Sequence, residues 1–198
     1  MGGLAKPLLR VAGRTILDRQ LEVLRPLVEE ILLVASAGDA ALYHGRGGRV
    51  VIDHRSGLGS GSGRGSGGGP LVGLETALLA TDADAVLLVG GDMPALHPAA
   101  LGLVLAARSS AEAVVPRVAG RCEPLHARYG QRVLPRVRAL LDGGRRALMA
   151  LLDELDVEYV EEEGLRAADP SGLTLANVNT PEDLARIERC LCSLPGAR

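Results

Sequence analysis

Asp92 stands just past an apolar run, Ala85–Val89, with Gly90-Gly91 before it and Met93-Pro94 after it. A strand that buries its apolar residues can deliver such a carboxylate into a crevice. Glycines beside it let a phosphate or a cation approach the backbone, and a hard cation such as Mg2+ held there neutralises phosphate charge. The plainer reading is an aspartate that caps a turn or a helix. Lys6 follows Gly2-Gly3-Leu4-Ala5. An amine in that setting can bind phosphate as a point charge; taken alone it reads as a solvated surface lysine. Asp53 closes a second apolar run on the same expected edge as Asp92, or is a turn residue. Asn177 and Asn179 lie two apart, so an extended segment points both amides to one side. Each amide offers donors and an acceptor to a polar ligand, and local capping is the alternative. Arg145 and Arg146 follow Gly143-Gly144 ahead of a helix, where they either hold an anion or form a solvated pair. His126 reads as structural. The sequence carries no nucleophile–base constellation, so chemistry through a covalent hydrolytic intermediate has no support.

These residues need elements to position them, and the pattern alternates strand with helix. Short β-branched runs at 30–35, 49–53, 85–89, 113–116 and 156–160 read as strands, with 125–129 a further candidate. Helical spacing covers 15–29, 70–80, 98–107, 133–141, 147–155 and 181–191. Pro26 is expected to bend the end of the first helix. Thr180 is its N-cap candidate for the last, with Asp183 at the capping-box offset. Alternation of this kind predicts an α/β fold: three α/β/α layers around a mostly parallel sheet. The whole of 1–198 reads as a single domain with a flexible Gly/Ser-rich loop at 56–69. That loop has no Gly-Lys-Ser/Thr and ends in Gly69-Pro70, which rejects a P-loop NTPase. It sits on the ligand-facing edge, so a flap over substrate is a secondary reading.

Composition removes several function classes. A formal charge of −2 over 198 residues gives no global attraction to nucleic acid or to an anionic membrane. No apolar run approaches the ~20 residues of a membrane span. Lys6 and Arg10 interrupt any signal-peptide pattern. Cys122, Cys190 and Cys192 have no metal-ligand spacing and read as reduced thiols of a cytoplasmic protein. The chain has no Trp and no Phe, so the core must be Leu, Val and Ala, and base recognition on an aromatic platform is not expected.

Taken as an ordered set, the segments resemble the molybdenum cofactor guanylyltransferases (MobA type), nucleotidyltransferases of the nucleotide-diphospho-sugar-transferase-like (Rossmann-like) fold. Met1–Lys6 is similar to the second half of that family's amino-terminal signature, and Gly13-Arg14-Thr15-Ile16-Leu17 to the segment after it. Val51-Ile52-Asp53, Gly69-Pro70-Leu71-Val72-Gly73-Leu74 and Leu87-Leu88-Val89-Gly90-Gly91-Asp92-Met93-Pro94 follow in order. Glu123-Pro124-Leu125-His126-Ala127, Gly144–Met149 and Asn177-Val178-Asn179-Thr180-Pro181 complete the match. The resemblance implies transfer of GMP from GTP to molybdopterin cofactor with Mg2+ and release of pyrophosphate. It implies that Lys6 and Asp92 are catalytic, that Gly2, Gly3, Lys6, Asp53, Gly69, Pro70 and Asp92 bind nucleotide, that Asp92 holds the metal, and that Asn177 and Asn179 line the pterin side. Transient contact with molybdoenzymes or their chaperones is implied as well. A molybdopterin cytidylyltransferase, another small-molecule nucleotidyltransferase, and a truncated non-catalytic nucleotide- or partner-binding homologue are the alternatives. The chain departs from the family at Ala5, where Asp is usual, and at Val34, where some members carry Asn. It also lacks the first half of the signature and the central strand ahead of it. Met1 is therefore read as an internal methionine of the signature, with the natural protein starting upstream.

Overall fold

Leu, Val and Ala supply most of the core, but Tyr129, Tyr43, Ile16, Ile187 and Met93 are buried in it as well, and the period of two along each strand decides how that core divides. The computed structural model describes residues 5–53, 55, 68–107 and 110–193. After a 3-10 turn at Lys6–Leu8, Arg10–Val11 (β1) and Arg14–Thr15 (β2) make a hairpin through Ala12 and Gly13, both at positive φ. Helix α1 (Ile16–Leu24) starts at Thr15, whose hydroxyl accepts from Asp18 N at 3.0 Å. It stops at Leu24 rather than bending at Pro26: Arg25 keeps helical dihedrals as the C-cap, and Pro26 has no N–H to donate the next bond. Then come β3 (Leu32–Ala35), β4 (Arg49–Ile52), α2 (Pro70–Leu79), β5 (Ala85–Val89) and α3 (Pro98–Ala106). The chain continues through β6 (Ala113–Val118), β7 (Arg121–Cys122), β8 (His126–Gly130), α4 (Leu134–Asp142) and α5 (Leu148–Leu152). It closes with β9 (Val157–Glu161), α6 (Glu162–Ala168) and α7 (Pro181–Ser193). Most of the expected Gly/Ser loop, 56–67, lies outside the described residues.

The α/β class holds, while the ladders are mixed rather than mostly parallel. β5 and β6 each pair antiparallel with β8, and β6 pairs parallel with β9. Strands β5, β6 and β9 therefore run the same way, and β8 is the reversed strand between them. The reason is length. Only 119–125 connect the end of β6 to the start of β8, and β7 takes part of that. A parallel return needs a crossover of a dozen residues or more, so the chain can only fold back. Strands β3 and β4 form a separate parallel pair.

Alternate residues feed opposite faces. Val86, Leu88, Val115, Ala127, Tyr129 and Val157 pack with the apolar sides of α2, α4 and α5. Leu87, Val114 and Val160 pack with Val104 of α3 on the other face. Helix α1 covers β3 and β4 through Leu17, Leu21 and Leu33. Sheet between helices gives the three layers that the alternation predicts. Helix α6 was not legible in the sequence: Leu165 is its one buried residue, which leaves no periodic stripe to read. Among the described residues, no helix is long and apolar enough to cross a membrane.

Candidate functional site

Past the carboxyl end of β5 the chain turns through Gly90 to Met93. Gly90 N donates to Leu125 O at 2.8 Å, which keeps the turn in register with β8. Buried Gln20 of α1 donates through Nε2 to Gly90 O at 2.7 Å and to Met93 O at 3.0 Å. The turn is thus clamped from outside the sheet, and Asp92 sits at its apex with a partly exposed side chain. A Cβ at Gly91 would stand 2.7 Å from Pro7 Cγ. Gly91 therefore serves a close approach of the chain's own Lys6–Leu8 turn, whereas the sequence suggested room for a ligand. That approach brings Lys6 onto Asp92, Nζ to Oδ2 3.3 Å.

The same amine donates to Asn179 Oδ1 at 2.6 Å. Asn179 arrives there because Val178 N donates to the backbone carbonyl of Asp92 at 2.8 Å, while the Val178 side chain is buried with Val11, Ile16 and Ile187. Asn177 and Asn179 stand on either side of that inward valine in the chain. The capping box at the head of α7 fixes the far side. Asp183 accepts from Thr180 N at 2.9 Å and from Asn179 N at 3.1 Å, and its own N–H donates to the Thr180 hydroxyl at 3.1 Å. The Thr180 and Asn179 N–H groups and the Thr180 hydroxyl hold the Asp183 carboxyl below the usual carboxylate range.

Asp53 belongs to a different set of contacts. It is buried at the end of β4, where Oδ1 accepts from Arg55 N at 2.9 Å and Oδ2 from Gly68 N at 3.2 Å. Both oxygens thus tie the two stems of the 56–67 segment together, and no described bond joins Asp53 to Lys6, Asp92 or Asn179. Gly69 has φ 90° and ψ 170°, a region open to glycine alone, and Pro70 opens α2 behind it. Arg146 donates to Gly68 O at 3.2 Å, and Arg145 pairs with Glu154, so these arginines are engaged within the fold. Gly2 and Gly3 lie outside the described residues.

His126 opens β8 with no exposed surface, and neither ring nitrogen has a hydrogen-bond partner among the described residues. Burial lowers its pKa to about 4, so it is neutral at pH 7. Among the described residues, no three His, Cys, Asp or Glu side chains gather to hold a metal. Asp92 offers one carboxylate, with the Asn179 amide oxygen on the same amine. Such a set of hard oxygen donors fits a cation that takes its other ligands from phosphates and water, and does not form an all-protein cage.

Gln20 is the residue that sequence reasoning missed. Its signal was present: Ile16, Leu17, Gln20 and Leu21 share the buried stripe of α1, and an amide there needs partners.

Comparison with known proteins adds three findings. Residues 1–158 match the family model described as the MobA-like NTP transferase domain. A Methanosarcina mazei protein named "probable molybdenum cofactor guanylyltransferase" is 30% identical over 194 residues, covering 93% of this chain and 82% of that protein. A molybdenum cofactor guanylyltransferase of Desulfosudis oleivorans is 27% identical over 191 residues, covering 96% and 89%. Among solved structures, the Archaeoglobus fulgidus molybdopterin-guanine dinucleotide biosynthesis protein A superposes with a TM-score of 0.80 at 23% identity, over 97% of this chain and 93% of that one. The Thermus thermophilus 2-C-methyl-D-erythritol 4-phosphate cytidylyltransferase superposes with a TM-score of 0.67 at 20% identity, over 93% and 92%. At these identities the structures show the nucleotidyltransferase fold.

Proposed function

The chain belongs to the MobA-like NTP transferase family, and from that premise we propose that it transfers GMP from GTP to molybdopterin cofactor and releases pyrophosphate. The observation that carries this reading is the meeting of the Lys6 amine, the Asp92 carboxylate and the Asn179 amide at one end of the sheet. An oxygen of the pterin's terminal phosphate attacks the α-phosphorus of GTP. The new O–P bond forms as the bond from the α-phosphorus to the bridging oxygen breaks, and its electron pair leaves with pyrophosphate. The attacking oxygen is already anionic, so no protein base or nucleophile is needed. Catalysis then rests on positioning and on neutralising charge.

Each residue has a task in that scheme. Without nucleotide, Lys6 is paired to Asp92 and Asn179. Triphosphate oxygens draw the amine away as a point-charge partner and release the Asp92 carboxylate. Asp92 would hold a Mg2+ ion, which would supply further charge neutralisation at the reacting group. Asn177 and Asn179 offer amide donors and acceptors to the pterin. Asp53, Gly69 and Pro70, at the stems of the 56–67 segment, contribute to nucleotide binding through backbone geometry. The same reading places the protein in the cytoplasm, where molybdoenzymes or their chaperones receive the product.

Pyrophosphate release with molybdopterin, Mg2+ and either GTP or CTP tests the proposal. We expect turnover with GTP and little with CTP. Preference for CTP would assign the cytidylyl reaction, and background release with both would leave a nucleotide- or partner-binding protein.

A further inference from the structure

The β6–β7 hairpin ends in a carboxylate to which the fold gives no partner. Pro116 accepts from Glu123 N at 2.9 Å but has no N–H to return, so the ladder stops there. The chain turns instead: His126 N donates to Glu123 O at 3.1 Å, and Leu125 O accepts from Gly90 N at 2.8 Å. The second bond seats this turn against the one that carries Asp92. Cys122 packs in the cluster of Val115 and Tyr129. Glu123, the next residue, therefore faces the other side of the sheet, where Val114 packs on Val104 of α3. Glu123 is half-buried. Burial raises its pKa, and no neighbouring cation or donor brings it back down. Arg117 of the same hairpin is engaged with Glu161. A carboxylate withdrawn from water without donors carries a desolvation cost that the donors of a ligand offset.

Placement on the sheet narrows the ligand. Gly69 and Pro70 stand at the head of α2, which packs with Val115 and Tyr129 on the face opposite Glu123. The nucleotide side is therefore across the sheet. Leu87 belongs to both clusters on the α3 face, and Leu175 packs there with Met93 and Val89. The segment that leads to Asn177 thus lies on the side of Glu123. A pterin presents a ring N–H next to an exocyclic amino group, two donors on one edge. The two oxygens of a single carboxylate accept both at once. Guanine has the same edge, but the α2 side is the one assigned to the nucleotide.

We propose that Glu123 is a specificity residue for the acceptor: its carboxylate takes the ring N–H and the amino group of the pterin's 2-amino-4-oxopyrimidine ring. The inference rests on the reaction proposed above, whose acceptor is a pterin. A carboxylate has no donor for an oxygen at the same ring position, so it discriminates against a 2-oxo analogue.

The test uses the parent and Glu123→Gln with two probes, 6-hydroxymethylpterin and its 2-oxo counterpart 6-hydroxymethyllumazine, titrated by their own fluorescence. Pyrophosphate release with GTP, Mg2+ and molybdopterin, and Tm, are measured on the same samples. The parent is expected to bind the pterin about tenfold or more tighter than the lumazine. The Gln variant is expected to reverse that order, because an amide offers one donor and one acceptor and matches the 2-oxo group beside the ring N–H. Its KM for molybdopterin is expected to rise about tenfold or more, with KM for GTP and Tm unchanged. Equal probe preference in the two proteins overturns the proposal, as does a parent that binds neither probe. A rise in KM for GTP with pterin affinity unchanged overturns it in favour of guanine. Loss of all ligands together with a lowered Tm overturns it in favour of a structural role. Reversed probe preference without any pyrophosphate release from GTP would sink the proposed reaction and leave this assignment standing. Full turnover with GTP and unaltered kinetics in the variant would do the opposite.

Discussion

Single side chains separate charge that serves the site from charge that serves the fold. Lys6, Asp92 and Asn179 are polar groups brought together from the two ends and the middle of the chain, and they remain accessible to solvent. If Asp92 anchors a cation, Asp92→Ala is expected to reduce pyrophosphate release by orders of magnitude, measured with GTP, Mg2+ and molybdopterin; activity within a few-fold of the parent removes Asp92 from the reaction. His126 answers a different question. Its folded pKa of about 4 lies below the usual 6.5 because burial disfavours the imidazolium. The unfolded chain therefore binds the proton first. The stability at stake is fully present above pH 6.5 and is lost as pH falls toward 4. By linkage the loss is of order 3 kcal/mol. In urea melts at pH 7 and pH 4.5, His126→Leu is expected to lose less stability between the two than the parent does.

At the scale of elements, the site depends on supports that touch no substrate. The Gly90–Met93 turn is held by Gln20 from α1, and Asn179 is held by Val178 and by the Asp183 cap of α7. Gln20→Leu keeps the apolar stripe and leaves the Gly90 and Met93 carbonyls unpartnered. We expect a stability loss of about 1–3 kcal/mol and a fall in kcat larger than any rise in KM, since the turn carrying Asp92 is loosened. Unchanged kinetics with lowered stability would restrict Gln20 to a packing role. Elements also show where the sequence was readable. Strand β5, α2 and the head of α7 were legible because an apolar run, a proline at the first turn and a capping box are local signals. Helix α6 and the short β7 carry no such signal, and the end of α1 depended on how Pro26 would be accommodated.

At the scale of the whole molecule, a partly buried ionic contact ties the stems of the 56–67 segment to the helical layer. Arg55 lies 2.7 Å from a carboxylate oxygen of Glu75, which is 1% exposed, and 2.9 Å from Asp142. This links β4's end, α2 and α4. Arg55→Ala removes the 2.7 Å partner of the buried Glu75 carboxylate, whose contact with Arg138 is longer at 3.7 Å, and is expected to destabilise the fold by roughly 3 kcal/mol, measured by denaturant melts. A change under 1 kcal/mol would mean that the stems are held by Asp53 and Arg146 instead.

Sequence by itself determined the layered α/β class, the elements around Asp92 and Asn179, a largely aliphatic core and the family resemblance. Each follows from local period, local capping or ordered motifs, which short-range geometry fixes. Tertiary structure decided that the amine of Lys6 meets Asp92 and Asn179, that Asp53 turns its carboxylate to the loop stems, and that β8 runs against its neighbours. Such facts depend on contacts between residues tens to more than a hundred positions apart, and no local pattern encodes which distant partner a side chain or a strand edge will find.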